Sequence, residues 1–286
     1  MKYCFLRFPE GKFKAVTFSY DDGCRSDIHL AQILQNHHIK STFNISSGLL
    51  GKSSNDWYLT SDEIKQYIIN LGHEVAVHGA FHKAPGICRS AEYVKDVYEC
   101  RMELEKQFEC IIRGMAYPDC GITKMSHNNT YEQIKENLKN LGIVYSRTLG
   151  GDNDKFALPN DWYAWMPTAH HTNPEVLNYA KKFVDLKPDA YCSNQDAKLF
   201  YLWGHSYEFE RSNNWELMEN ICDVLGDNDD IWYATNIELY DYVSAYENLI
   251  FSLDGNIIYN PSLQTVWILV DNKSYSIKPN EKIIIK

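Results

Sequence analysis

Strand-like and helix-like runs alternate about seven times between residues 13 and 246 of this 286-residue chain, as its hydrophobic periodicity shows. Residues 13–20 (FKAVTFSY) are rich in β-branched and aromatic side chains and run into Asp21-Asp22-Gly23, a strand that ends in a turn. Ile28, Ala31, Ile33 and Leu34 follow at helical spacing. Further strands are predicted over 41–45, 73–77, 142–147, 198–203 and 231–235, with another beginning at 109–112. Helices are predicted over 60–71, 91–108, 131–141, 174–184, 215–225 and 237–246. The first of these opens on Thr60 with Glu63 three residues later, a capping-box pair. Such alternation implies a parallel sheet covered by helices. The first strand-to-helix turn reads Asp-Asp-Gly, not G-x-G-x-x-G. The expected architecture is therefore a distorted (β/α) barrel of about seven units, not an open dinucleotide-binding sheet.

From residue 249 the texture changes to short extended stretches separated by Asp254-Gly255, Asn260-Pro261, Asp271-Asn272 and Pro279-Asn280. Asp-Gly between apolar runs is a hairpin signal. The expected division is a barrel over residues 1–247 and a small antiparallel β appendage over 248–286. A formal net charge of -10, with no Lys/Arg-rich run, argues against a nucleic-acid partner. No stretch has the roughly 18 consecutive apolar residues of a membrane span. Residues 1–10 (MKYCFLRFPE) lack the long apolar region of a signal peptide, and the eight cysteines form no C-x-x-C pair. A cytoplasmic enzyme with reduced thiols is the expectation.

Four polar clusters fall where predicted strands end, the side on which parallel barrels carry their active sites. In Asp21-Asp22-Gly23, adjacent carboxylates point in different directions, so one can face a metal and the other a substrate. His78-Gly79-Ala80-Phe81-His82 sets two imidazoles four residues apart. With Asp22 they make a two-His, one-carboxylate site suited to zinc, or to cobalt or nickel, with positions open for water and substrate. His37-His38 and His170-His171 show that such pairs also arise incidentally. Arg113 precedes Tyr117-Pro118 and Gly121 and could hold a carboxylate ionised, or form a structural salt bridge. His205, after Leu202-Trp203-Gly204, could be a general acid or a packed histidine.

In order and spacing these clusters resemble the polysaccharide deacetylase family (carbohydrate esterase family 4, the NodB-homology domain). Its T-F-D-D-G motif is similar to residues 17–23, and its H-(S/T)-x-x-H motif to residues 78–82. Its arginine before a Pro-Tyr-Gly turn is similar to residues 113–121, and its apolar strand ending in histidine to residues 199–205. The likeness spans residues 13–246 and itself implies a distorted (β/α) barrel. It further implies Asp21 as catalytic base, Asp22, His78 and His82 as metal ligands, Arg113 orienting Asp21, and His205 as acid. The activity implied is metal-dependent removal of N-acetyl or O-acetyl groups from a saccharide, with a backbone N–H in the 117–121 turn as oxyanion donor.

The sequence departs from the family in three places. Gly79 replaces Ser or Thr, the arginine turn is longer, and the fourth motif, an Asp and a Trp, matches only Asp161-Trp162. Tyr117, Trp162 and Trp165 are the expected substrate-binding wall, with His170 competing. The aromatic content of 14% suits stacking on sugars and ordinary core packing equally. Two other readings stand beside the deacetylase: a glycan-binding protein without turnover, and a barrel metallohydrolase acting on a non-sugar amide.

Overall fold

A computed structural model describes residues 3–51, 57–149, 153–189 and 195–285. The elements run β1 (Cys4–Arg7), β2 (Lys14–Asp21), α1 (Ser26–Asn36), β3 (Ser41–Ile45), α2 (Ser61–Tyr67), β4 (Glu74–Val77), α3 (Ser90–Phe108) and β5 (Gly114–Ala116). There follow α4 (Tyr131–Asn140), β6 (Tyr145–Arg147), β7 (Ala169–His170), α5 (Val176–Asp185), β8 (Lys198–Gly204), α6 (Tyr207–Ser212), α7 (Trp215–Leu225), β9 (Ile231–Tyr233) and α8 (Asn236–Glu247). Five short strands complete the chain: β10 (Ile250–Phe251), β11 (Ile257–Tyr259), β12 (Val266–Val270), β13 (Lys273–Ile277) and β14 (Lys282–Ile284).

The central sheet has the order β6-β5-β4-β3-β2-β8-β7, with every pair parallel. The strand β9 lies beside Lys14–Val16 of β2, on the edge that β3 takes over at Phe18. Trp165 pairs with Arg147 of β6, and a few residues on, Ala169 and His170 pair with β8. Residues 165–170 thus bridge the two outer strands and curl the sheet into a distorted barrel. All eight residues of β2 are buried, as expected of a strand covered on both faces. Val16, Phe18 and Tyr20 point outward into the core beneath the helices, while Ala15, Thr17, Ser19 and Asp21 alternate to the interior.

The barrel floor is closed by α8. The Asn236 N–H donates to Thr42 Oγ1 and the Ile237 N–H to Glu74 Oε2, each at 2.9 Å, near the starts of β3 and β4. The opposite rim, formed by strand C-termini, is left for the polar clusters. Among the described residues, no helix is long and apolar enough to cross a membrane.

The structure departs from the sequence reading in two places. The strand expected at 109–112 begins instead at Gly114: Glu109 takes φ 53° to end α3, and the Ile112 N–H donates to Glu105. Residues 248–286 do form antiparallel strands, as two three-stranded sheets, β1-β12-β13 and β10-β11-β14. The appendage is not continuous in sequence, however, because β1 from the N-terminus pairs along β12, Cys4 opposite Val270.

Candidate active site

The rim turn after β2 sends its two carboxylates apart. Asp22 adopts φ 81° and Gly23 φ 68°, left-handed conformations that turn the chain sharply after the strand. Asp21 stays in the strand's inward register and is buried; Asp22 opens to the rim. Asp22 Oδ1 stands 3.7 Å from His78 Nε2 and 3.6 Å from His82 Nε2. Atoms each about 2 Å from one ion can be at most about 4 Å apart, so both separations suit a shared metal.

His78 is preset for ligation. Its Nδ1 donates to the Ala116 carbonyl at 2.9 Å, which leaves Nε2 as the lone-pair nitrogen. That Nε2 is buried and has no hydrogen-bond partner. An orphaned imidazole nitrogen aimed at a carboxylate and a second imidazole is the donor set of a zinc-type centre. Burial keeps the His78 pKa below its ordinary value despite Asp21, which favours the neutral, ligating form.

Asp21 is held by a different arginine from the one expected. Arg147, the last residue of β6 and fully buried, forms an ion pair with Asp21 Oδ2 and lies over the Trp203 ring at 4.2 Å. Asn44 Nδ2 donates to Asp21 Oδ1 at 2.9 Å. Burial alone would raise the Asp21 pKa, but Arg147, His78, His205 and the Asn44 hydrogen bond bring it below the ordinary carboxylate value. Arg113 does not reach this site. It precedes β5, at the opposite end of the barrel, and pairs with Asp241 of α8 at 2.6 Å. The three-residue strand between Arg113 and the rim spans roughly 10 Å.

His205 lies across from Asp21, Nε2 to Oδ2 at 4.0 Å. Glu208, in the first turn of α6, stands 3.4 Å from His205 Nδ1, 3.2 Å from His170 Nε2 and 3.0 Å from His171 Nε2. Burial works against the charged imidazole of His205, yet Glu208 and the Asp21 and Asp22 carboxylates raise its pKa on balance. The start of α6 is anchored by the Ser206 hydroxyl, which donates to the buried Asp27 at 2.5 Å. Glu208, like Arg147, is a residue that the sequence reading missed. Asp161, the loose match to the fourth motif, instead pairs with Lys135 at 2.6 Å and accepts from Tyr131.

The residues expected to form the substrate wall are held in packed positions. Trp165 is 1% exposed and packed among Tyr145, Trp162 and Tyr201. Trp162 packs on Tyr240 of α8, the floor helix. Tyr117 is 1% exposed, its hydroxyl donating to the Tyr163 carbonyl. Its N–H donates to the Arg147 carbonyl, and the Gly121 N–H to the Pro118 carbonyl, so neither is free as an oxyanion donor. A cavity of about 460 Å³ opens beside the Asp22 turn, with Arg25, His29, Trp57, Tyr207 and Arg211 in its lining. The Tyr207 ring lies 5.1 Å from that of His205 and 5.5 Å from Trp57. His170, the competing candidate, reaches the rim through Glu208.

The parallel barrel thus carries a two-His, one-carboxylate trio on its rim beside a buried aspartate paired with an arginine. The polysaccharide deacetylase family model matches residues 9–143, the stretch holding Asp21, Asp22, His78 and His82. No curated protein matches the sequence. Among solved structures, a protein of Mycobacterium smegmatis assigned as a polysaccharide deacetylase is 16% identical at TM-score 0.57, covering 85% of this chain and 94% of that one. Puue allantoinase is 10% identical at TM-score 0.56, covering 82% and 91%. A protein of Pseudomonas aeruginosa PAO1, also assigned as a polysaccharide deacetylase, is 9% identical at TM-score 0.53, covering 79% and 89%. At these identities the likeness is one of fold.

Proposed function

We propose that the protein is a metal-dependent deacetylase acting on an acetylated saccharide. The observation that carries this reading is the buried, ionised Asp21 set between Arg147, the Asp22/His78/His82 trio and His205. Asp22, His78 and His82 would hold a divalent ion, zinc before cobalt or nickel, which supplies Lewis acidity toward a water and an acyl oxygen. Asp21 accepts the proton of the attacking water, and Arg147 keeps its carboxylate charged and oriented. His205, protonated through its pairing with Glu208, gives a proton to the departing amine nitrogen or sugar oxygen. Tyr207 and Trp57 form the wall that the saccharide lies along, in place of Tyr117, Trp162 and Trp165.

Acetate release from acetylated oligosaccharides, with and without added zinc, tests the reading. Metal-stimulated acetate release is the expected result. Hydrolysis of a cyclic ureide such as allantoin, with no acetate from any acetylated saccharide, would establish the non-sugar alternative; the likeness in fold to Puue allantoinase is the reason to include that substrate. An aromatic–sugar contact contributes roughly 1 kcal/mol. Trp57→Ala should accordingly raise KM for an oligosaccharide about five-fold while leaving kcat on a small aryl acetate unchanged.

The acid also gives a pH signature. His205 serves while protonated, so turnover falls as pH rises through its pKa. Glu208 helps to raise that pKa. The basic limb of the pH–kcat profile of Glu208→Gln should therefore move to lower pH. An unmoved limb would assign the proton to another group.

A further inference from the structure

Gly79 and Asp96 form a matched pair in the loop that carries His82. Asp96, on α3, is 3% exposed, and its carboxylate accepts the N–H groups of Phe81 at 2.8 Å and Lys83 at 3.2 Å. Its backbone carbonyl accepts the Ala80 N–H at 3.0 Å. Three backbone amides of this loop, on either side of His82, are thus pinned to one residue. Room for the carboxylate exists only because residue 79 has no side chain: a Cβ there would lie 2.2 Å from Asp96 Oδ2. Gly79 also sits at φ 73° and His82 at φ 56°, so the loop runs through left-handed conformations that need outside hydrogen bonds to persist.

We propose that Asp96 is a positioning residue for the metal centre, fixing His82 through the loop amides and taking over the place of the side chain that the family's second motif carries where this chain has Gly79. Asp96 acts on the ligand set by restricting where the His82 imidazole can go. Losing a partner that orients a ligand typically costs about 10–100-fold in metal affinity. The inference rests on the proposed metal trio, but the loop itself can be observed without metal.

The test uses Asp96→Ala, Gly79→Ser and the double variant. Cobalt(II) titration followed by visible absorption reads affinity, and amide hydrogen exchange of residues 80–83 reads the loop in metal-free protein. Asp96→Ala should weaken cobalt binding about ten-fold or more and expose the Phe81 and Lys83 amides. Gly79→Ser, whose side chain collides with the carboxylate, should do the same. In the double variant the serine hydroxyl enters the vacated space, so affinity and amide protection should exceed those of either single variant, though φ 73° keeps recovery partial. A double variant as weak as the product of both losses, or Asp96→Ala with wild-type protection and affinity, overturns the proposal. If the wild type binds no cobalt, the metal reading fails while hydrogen exchange still decides whether Asp96 holds the loop.

Discussion

Asp21→Asn is expected to lower kcat about a thousand-fold and to leave one metal ion bound per chain. General-base removal typically costs 10²–10⁴ in rate. The substitution is nearly isosteric, and the amide oxygen can keep the hydrogen bond from Asn44. The ligand carboxylate belongs to the next residue, directed the other way by the left-handed turn at Asp22, so ligation is left intact. Acetate release gives the rate, and metal content after dialysis gives the occupancy. A variant retaining most of its kcat would remove Asp21 from the base role. A variant that loses its metal would show that Asp21 belongs to the ligand set.

What the sequence made legible is what local pattern controls. The β2 run, the Asp21-Asp22-Gly23 turn and the His78–His82 spacing each lie within a few residues, and the structure brings Asp22, His78 and His82 together. What stayed hidden depends on how the sheet curls. Arg147 and Asp21 are 126 residues apart and meet only because β6 and β2 both face the barrel interior. The clue was available in the strand predicted to end at Arg147, since rim positions follow strand ends. Arg113 misleads through a boundary error: β5 starts at Gly114 and not at Glu109, which puts the arginine on the floor side. Trp162 and Trp165 carry no periodic signal that separates a sugar platform from core; Trp165 is buried, and Trp162 is half-buried against it and Tyr240. β1 pairs with β12 across almost the whole chain, a contact no local pattern encodes.

The two arginines should separate cleanly in experiment. Arg147→Met leaves the Asp21 carboxylate buried without its cation, and removing one partner of a buried pair costs about 3–5 kcal/mol. Denaturant unfolding should show a loss of that order, with kcat falling by at least about a hundred-fold because the base is no longer oriented or held ionised. Adding Asp21→Asn to Arg147→Met removes the stranded charge, so the double variant should be more stable than Arg147→Met alone; contacting residues are expected to be non-additive in this way. Arg113→Met breaks a pair whose two side chains are each 32% exposed, so solvent screens it. Its stability should change by at most about 1 kcal/mol and its kcat by less than two-fold. Equal losses of kcat in Arg113→Met and Arg147→Met would return Arg113 to the catalytic machinery and contradict the geometry at Asp21, whereas additive unfolding energies for Arg147→Met and Asp21→Asn would deny that the two side chains act as a pair.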